Sequence, residues 1–402
     1  MIDTSKDRII KKIAESIDIP DSAYDKAHAR YKDLGEWFGR KEARCRVFAP
    51  HIYPQGSFRM GTVINPVNDD GEYDLDMGCR LRVGVAKATH TQHQLKSLVG
   101  ADLEDYRVAR GIKEKKEEKH RCWRLKYADS LKFHMDTVPS IPETDDRKRS
   151  IREAILRTGA PADLTIRVAN LAGAITDNRR RNYWVIDNDW LISNPEGFAL
   201  WFEWRMEQAR ALMESLEILA RAAKVDKLPA YRWKSPLQRC VQFLKRHRDI
   251  MFAGDPDAKP ASIIITTLSA KAYRGEAGIA EALDSILSGM VKHINPVAPR
   301  VPNPVNPAED FADGWSDPSC EANFWRWLRQ AQLDFDAIGK ERKPELIARA
   351  AMDKLGASIN VKELSAILGI GSTGGLLKSA AVPDGVSFPN KPLVPQKPAG
   401  FA

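Results

Sequence analysis

The sequence predicts an α+β protein in two lobes: a mixed sheet flanked by helices, followed by a helical domain. Three observations carry this. From Tyr73 to Val83 the residues Tyr73, Leu75, Met77, Cys79, Leu81 and Val83 alternate with Asp74, Asp76, Gly78, Arg80 and Arg82, the period of a half-buried strand. A second alternation sets Leu131, Phe133 and Met135 against His134 and Asp136, and Pro139 is expected to end it as a strand. From Phe198 the pattern turns helical, and residues 205–224 are rich in Ala, Leu, Glu and Met, all strong helix formers. The expected organisation is a sheet domain over 1–200 with a long N-terminal helix, a helical domain over 201–352 and a flexible tail over 353–402.

Each further element has its own signal. Asp21 to Cys45 reads as a helix, because Pro20 and Asp21 provide a start and Tyr24, Ala27, Tyr31, Leu34 and Phe38 recur at helical spacing. Ser235 and Pro236 begin another, one as N-cap and the other as first helical residue. Its apolar stripe is Leu237, Cys240, Val241, Leu244 and Met251. Lys245 falls at the margin of that stripe and Arg248 near its centre, an odd place for a charge without a buried partner. Five prolines between Asn295 and Pro307 exclude a helix and suggest an ordered surface connection. An aromatic helix follows, with Phe324, Trp325, Trp327, Leu328 and Leu333 expected in the core. The Gly-, Pro- and Ser-rich stretch from Gly369 to Ala402 is expected to be a mobile tail.

With 402 residues and 43% hydrophobic content, the chain is long enough for two domains with sizeable cores. No apolar run is long enough to span a bilayer and no signal-peptide pattern opens the chain, so a cytoplasmic protein is expected. Cys45, Cys79, Cys122, Cys240 and Cys320 form no C-x-x-C pair, which argues against a disulfide framework or a zinc ribbon. His90 and His93 lack ligand partners at metal-site spacing. The formal net charge is +8, which favours anionic partners. Arg179, Arg180 and Arg181 are the densest basic run, whereas Glu114, Glu117 and Glu118 interleave with the lysines of 113–126, the pattern of a solvated face.

The chemistry concentrates in Asp74 and Asp76. Alternation puts both on one face of a strand, and two adjacent carboxylates repel unless a cation lies between them. Mg²⁺ is the natural guest, since it binds through one or two carboxylates and substrate phosphates. If the two alternating strands pair, Asp136 adds a third carboxylate. An isolated Asp-x-Asp is common on surface strands; the specificity lies in its combination with Asp136 and with the upstream turn at Gly56 and Ser57.

These segments resemble the nucleotidyltransferases of the DNA polymerase β superfamily, and within it the bacterial cGAS/DncV-like enzymes that make cyclic oligonucleotide signals for anti-phage defence. The likeness runs from Pro20 to Trp327 and includes Ser193-Asn194-Pro195-Glu196-Gly197, Leu237 to Asp249, and Pro260-Ala261-Ser262. It implies a polymerase β-like core, an early helix bracing both lobes, and transfer of a nucleotidyl group between ATP or GTP molecules with two Mg²⁺ or Mn²⁺ ions. Asp74, Asp76 and Asp136 would be the catalytic and metal-binding residues. Gly56, Ser57, Lys245 and Ser262 would bind the triphosphate. Relatives often follow the matching serine with a base-stacking aromatic residue, where Ile263 stands here. No zinc-bearing insertion matches the one with which animal relatives grip DNA, a monomer is expected, and the C-terminus is a candidate for conjugation by a ubiquitin-transfer-like partner. The alternatives are a synthase of linear oligonucleotides, an RNA-end nucleotidyltransferase, and an inactive basic scaffold.

Overall fold

The computed structural model describes residues 5–67, 71–127, 133–220 and 234–370, and the side chains of all of these except 208–220. They divide into two compact units, one of Ile19–Trp204 with Pro302–Glu309, the other of the described residues of Met1–Asp18, Arg205–Val301 and Asp310–Phe401. Helix α1 (Ser5–Ile17), which the sequence reading overlooked, belongs to the second unit and buries Ile9, Ile10, Ile13, Ala14 and Ile17.

The first unit follows with α2 (Asp21–Gly39), β1 (Pro50–Pro54), α3 (Gly56–Met60), β2 (Tyr73–Leu81), α4 (Gln92–Ala109), β3 (Glu117–Glu118), β4 (Trp123–Tyr127) and β5 (Phe133–Pro142). Helices α5 (Asp145–Leu156) and α6 (Ala162–Asn170), strands β6 (Gly173–Ile175) and β7 (Leu191–Ser193), and α7 (Pro195–Ala220) come next, α7 belonging to the second unit from Arg205 onward. The strands form one mixed sheet in the order β1-β2-β5-β4-β3, with β6 pairing β5 and β7. β2 and β5 are parallel and every other pair is antiparallel. The core lies under β2, where Tyr73, Leu75, Met77, Cys79 and Leu81 are all buried against Leu34, Phe38, Leu95, Val99 and Leu103.

Three sequence expectations need correction here. Val83 lies beyond β2 and is 52% exposed. α2 stops at Gly39 rather than Cys45, and a separate 3₁₀ turn spans Arg44–Phe48. The Asp102 carboxylate of α4 accepts from the backbone N–H groups of Arg44 at 3.0 Å and Cys45 at 2.8 Å, so these amides need no helix to be satisfied. β5 runs through Pro139, because the proline falls between the last β4 pair at Thr137 and the first β6 pair at Ser140, where that side of the strand has no partner to lose. Leu131 lies outside the described residues.

The second unit is helical: α8 (Pro236–Met251), α9 (Ser262–Ala272), α10 (Ile279–Gly289), α11 (Pro318–Lys340), α12 (Pro344–Leu355) and α13 (Val361–Ile367). Ser235 caps α8, its side chain accepting from the Gln238 N–H while the Gln238 side chain accepts from the Ser235 N–H, a reciprocal cap. Arg248 is buried in α8 yet partnered: its guanidinium donates to Asp249 at 2.6 Å and to the Pro260 carbonyl at 3.1 Å. The proline-rich connection carries a two-stranded ribbon, β8 (Pro302–Asn303) and β9 (Asn306–Asp310).

In α11, Phe324, Trp327 and Leu328 are buried as expected, but Leu333 is 61% exposed. At 100° per residue it lies on the side opposite Trp327, Ala331 and Phe335. Of the tail expected over 353–402, residues 353–370 are described and carry the end of α12 and the whole of α13; residues 371–402, with the proposed conjugation site at Gly400, Phe401 and Ala402, lie outside the described residues, as does the end of the helical stretch expected to reach Lys224.

Candidate active site

β2 presents Asp74 and Asp76 on the face opposite its core residues, with Asp74 67% exposed and Asp76 half-buried. The parallel register sets Asp76 opposite Asp136 of β5, and Asp74 opposite His134. Partners in register share a face, so three carboxylates from two adjacent strands point to one side of the sheet. The His134 ring lies with Nδ1 3.7 Å from Asp74 Oδ1 and with Nε2 against the Glu72 carboxylate.

Gly56 and Ser57 do not form a free turn. They open α3 directly after β1, and the backbone N–H of Gln55 donates to the Asp76 carbonyl at 2.9 Å, which ties this loop to β2. Gly56 has φ +64, and a Cβ there would overlap the Asp76 carboxylate, lying 2.9 Å from its Cγ. Only glycine combines that backbone conformation with such a close approach. Burial, and then the Asp76 charge, hold the Tyr31 hydroxyl protonated.

Asp136 is buried, with 5% of its surface exposed, and both its oxygens are engaged: Arg124 of β4 donates from Nε to Oδ1 at 2.7 Å and from Nη2 to Oδ2 at 2.6 Å. The hydrogen bonds and the Asp136 charge hold the guanidinium firmly protonated. Arg124 escaped the sequence reading, because its role depends on the antiparallel β4–β5 register that sets it beside Asp136. Its polar position in the run Trp123-Arg124-Leu125-Lys126-Tyr127 was the available signal.

The other end of this face is structural. Arg80 is buried and donates to the Leu171 carbonyl at 2.8 Å, with Glu196 in an ion pair at 3.1 Å. Asn194 caps α7 by accepting from Gly197 N–H at 3.0 Å and donating to the Val168 carbonyl at 2.8 Å. The Ser193 to Gly197 block thus anchors the start of α7 to the sheet.

Lys245 and Ser262 belong to the second unit. Lys245 is buried on α8, and its charge is among those that hold the Asp249 carboxyl low against the upward push of burial. Ser262 is exposed at the first position of α9. His90 and His93 make local contacts with Thr89 and Ser97, and all five cysteines are free and buried.

Mg²⁺ suits this donor set. Three carboxylates supply hard oxygen donors, and the glycine at position 56 leaves the Asp76 carboxylate room that a larger residue would fill. Among the described residues no three His, Cys, Asp or Glu side chains stand as a ready-made ion cage. Mg²⁺ rarely uses one, since it takes one or two carboxylates and completes its shell with phosphate and water.

Residues 50–139, which contain β1, α3, β2 and Asp136, match the family described as cyclic GMP-AMP synthase DncV-like, nucleotidyltransferase domain. Over these residues the chain is similar to the DncV-like nucleotidyltransferases. It is 28% identical over 343 residues to a c-di-GMP synthase of Roseivirga ehrenbergii, covering 84% of this chain and 80% of that one. It is 25% identical over 327 residues to the cyclic dinucleotide synthase CdnG of Bradyrhizobium diazoefficiens, covering 77% and 70%. The solved structure of that CdnG with GTP superposes with a TM-score of 0.62 at 23% identity, over 90% of this chain and 98% of the other. The fold is also shared with the Escherichia coli CdnC in its complex with HORMA, at TM-score 0.57 and 14% identity over 88% and 98%. Among the described residues, no helix is long and apolar enough to cross a membrane.

Proposed function

We propose that this nucleotidyltransferase condenses two nucleoside triphosphates, with GTP as a substrate, into a cyclic dinucleotide. The observation that carries this is the placement of Asp74, Asp76 and Asp136 on one sheet face beside the Gly56–Ser57 loop. The two relatives named as a c-di-GMP synthase and a cyclic dinucleotide synthase support the choice of product.

The reaction joins a ribose hydroxyl of one nucleotide to the α-phosphorus of another, breaking the bond to pyrophosphate; a second, intramolecular transfer closes the ring. Asp74 and Asp76 would hold divalent metal, with Asp136 completing the set. When bound, two such ions neutralise charge on the attacking and leaving oxygens of an in-line displacement. Asp136, a buried carboxylate held by Arg124, would receive the proton of the attacking hydroxyl. The N–H groups at the start of α3 and the Ser57 hydroxyl bind the departing phosphates. Lys245 and Ser262, by the likeness of their blocks to the family's, are proposed as phosphate contacts.

Incubation with the four radiolabelled triphosphates and Mg²⁺ or Mn²⁺ tests this. A phosphatase-resistant product of two nucleotides containing guanosine is expected. A phosphatase-sensitive product would identify a linear chain instead, and no consumption of any triphosphate would leave a non-catalytic protein.

A further inference from the structure

Arg124 already engages the third carboxylate of the site and so competes with a metal ion for it. The β4–β5 register holds it beside Asp136, and its planar fork takes both oxygens of that carboxylate, at 2.7 and 2.6 Å. Asp136 is buried, so its charge requires a partner inside the protein. Arg124, with 23% of its side chain exposed, is that partner, and the Asp74 carboxylate acts on it as well. A divalent ion entering the site alone would therefore meet a resident positive charge that already neutralises one of its three carboxylates. An ion that arrives on a triphosphate brings about four negative charges with it, and the repulsion is offset.

We infer that Arg124 is a positioning residue with two effects: it fixes the Asp136 carboxylate for proton acceptance, and it makes divalent metal uptake depend on bound nucleotide. This rests on the reading of Asp74, Asp76 and Asp136 as the metal-binding carboxylates. The two effects separate by chemistry. Lysine keeps the charge but cannot grip both oxygens, whereas glutamine removes the charge. A cation in this place delays metal capture whatever its shape; only the fork fixes the orientation.

The test measures Mn²⁺ binding to the nucleotide-free protein by electron paramagnetic resonance, for wild type, Arg124→Gln and Arg124→Lys, with circular dichroism as the check on folding. Arg124→Gln is expected to bind Mn²⁺ about tenfold tighter than wild type without nucleotide, and Arg124→Lys about as weakly as wild type. In GTP turnover both variants are expected to lose kcat about 10- to 100-fold with little change in KM.

Equal Mn²⁺ affinity in wild type and Arg124→Gln would overturn the inference. So would tight Mn²⁺ binding by Arg124→Lys, or a raised KM at unchanged kcat, which would make Arg124 a plain substrate contact. Should Arg124→Gln fail to fold, Arg124→Lys decides alone: weak metal binding with reduced kcat supports the inference, and any other pairing overturns it. The Mn²⁺ comparison needs no turnover. If the wild type makes no product, the proposed function fails while this comparison still gives its answer.

Discussion

Substituting Gly56 by alanine isolates the most demanding contact of the site. Gly56 has φ +64, a region that costs an L-residue about 1–2 kcal/mol. The new Cβ would also overlap the Asp76 carboxylate, 2.9 Å from its Cγ. Overpacking of this kind costs about 1–3 kcal/mol when neighbours cannot move, but Asp76 is half-buried and can rotate away. The predicted outcome is a stability loss of about 2 kcal/mol, little more than the backbone contribution, and a loss of turnover of about 10²-fold because a carboxylate proposed to hold metal has moved by about 1 Å.

Gly111→Ala is the matched control. Gly111 has φ +63, and its added Cβ would meet nothing within 4 Å. It should show the backbone cost alone, with full activity. Urea denaturation gives the stabilities, and labelled GTP with Mg²⁺ gives the rates. Wild-type turnover by Gly56→Ala would refute the argument that the loop backbone and Asp76 must touch.

Other consequences are independent of that contact. The double variant Asp74→Asn, Asp76→Asn is expected to yield no product while melting within a few degrees of wild type, because shape is kept and charge is lost; measurable turnover would remove these residues from the site. Lys245→Ala should raise KM for GTP about 10- to 100-fold, and an unchanged KM would exclude a triphosphate contact. Gly78→Ala would drive a methyl group into the Tyr53 ring, at an expected cost of about 1–3 kcal/mol by urea denaturation.

A further consequence concerns pH. His247 is fully buried, with Nε2 3.0 Å from Asp334 Oδ2. Burial, together with Lys354, outweighs the carboxylate and holds the ring's pKa below its ordinary value. The unfolded chain titrates near pH 6.5 and so binds the extra proton first. Stability should therefore be full well above that pH and fall on acidification below it until the folded ring is protonated in turn, by up to about 1.4 kcal/mol per pH unit. His247→Gln should flatten that slope, and a wild type no steeper than the variant would contradict the assignment.

What the sequence revealed was local or periodic. The alternation of Tyr73, Leu75, Met77, Cys79 and Leu81 defined the buried side of β2 and so placed Asp74 and Asp76 together on the other. Ser235, Pro236 and Gln238 marked the start of α8 because a cap needs only neighbouring residues. What it concealed depends on distant pairing. Arg80 looks like a solvent-facing residue until Glu196, more than a hundred positions later, is brought against it. Lys96 is fully buried because the Lys119 and His120 carbonyls accept from its ammonium, which no helical pattern announces. Arg124 could not be assigned without the register of β4 on β5. Leu333 misled in the opposite sense, since an apolar side chain on an aromatic helix need not be core when it falls on the far side of the turn.

The central claim is that Asp74, Asp76 and Asp136 bind divalent metal together with a triphosphate. Anomalous diffraction from crystals grown with Mn²⁺ and a non-hydrolysable GTP analogue tests it directly. The expected map has Mn²⁺ peaks within about 2.0–2.3 Å of Asp74 and Asp76 oxygens and of phosphate oxygens of the analogue. Mn²⁺ bound to the triphosphate alone, with both aspartates turned away from it, would contradict the account.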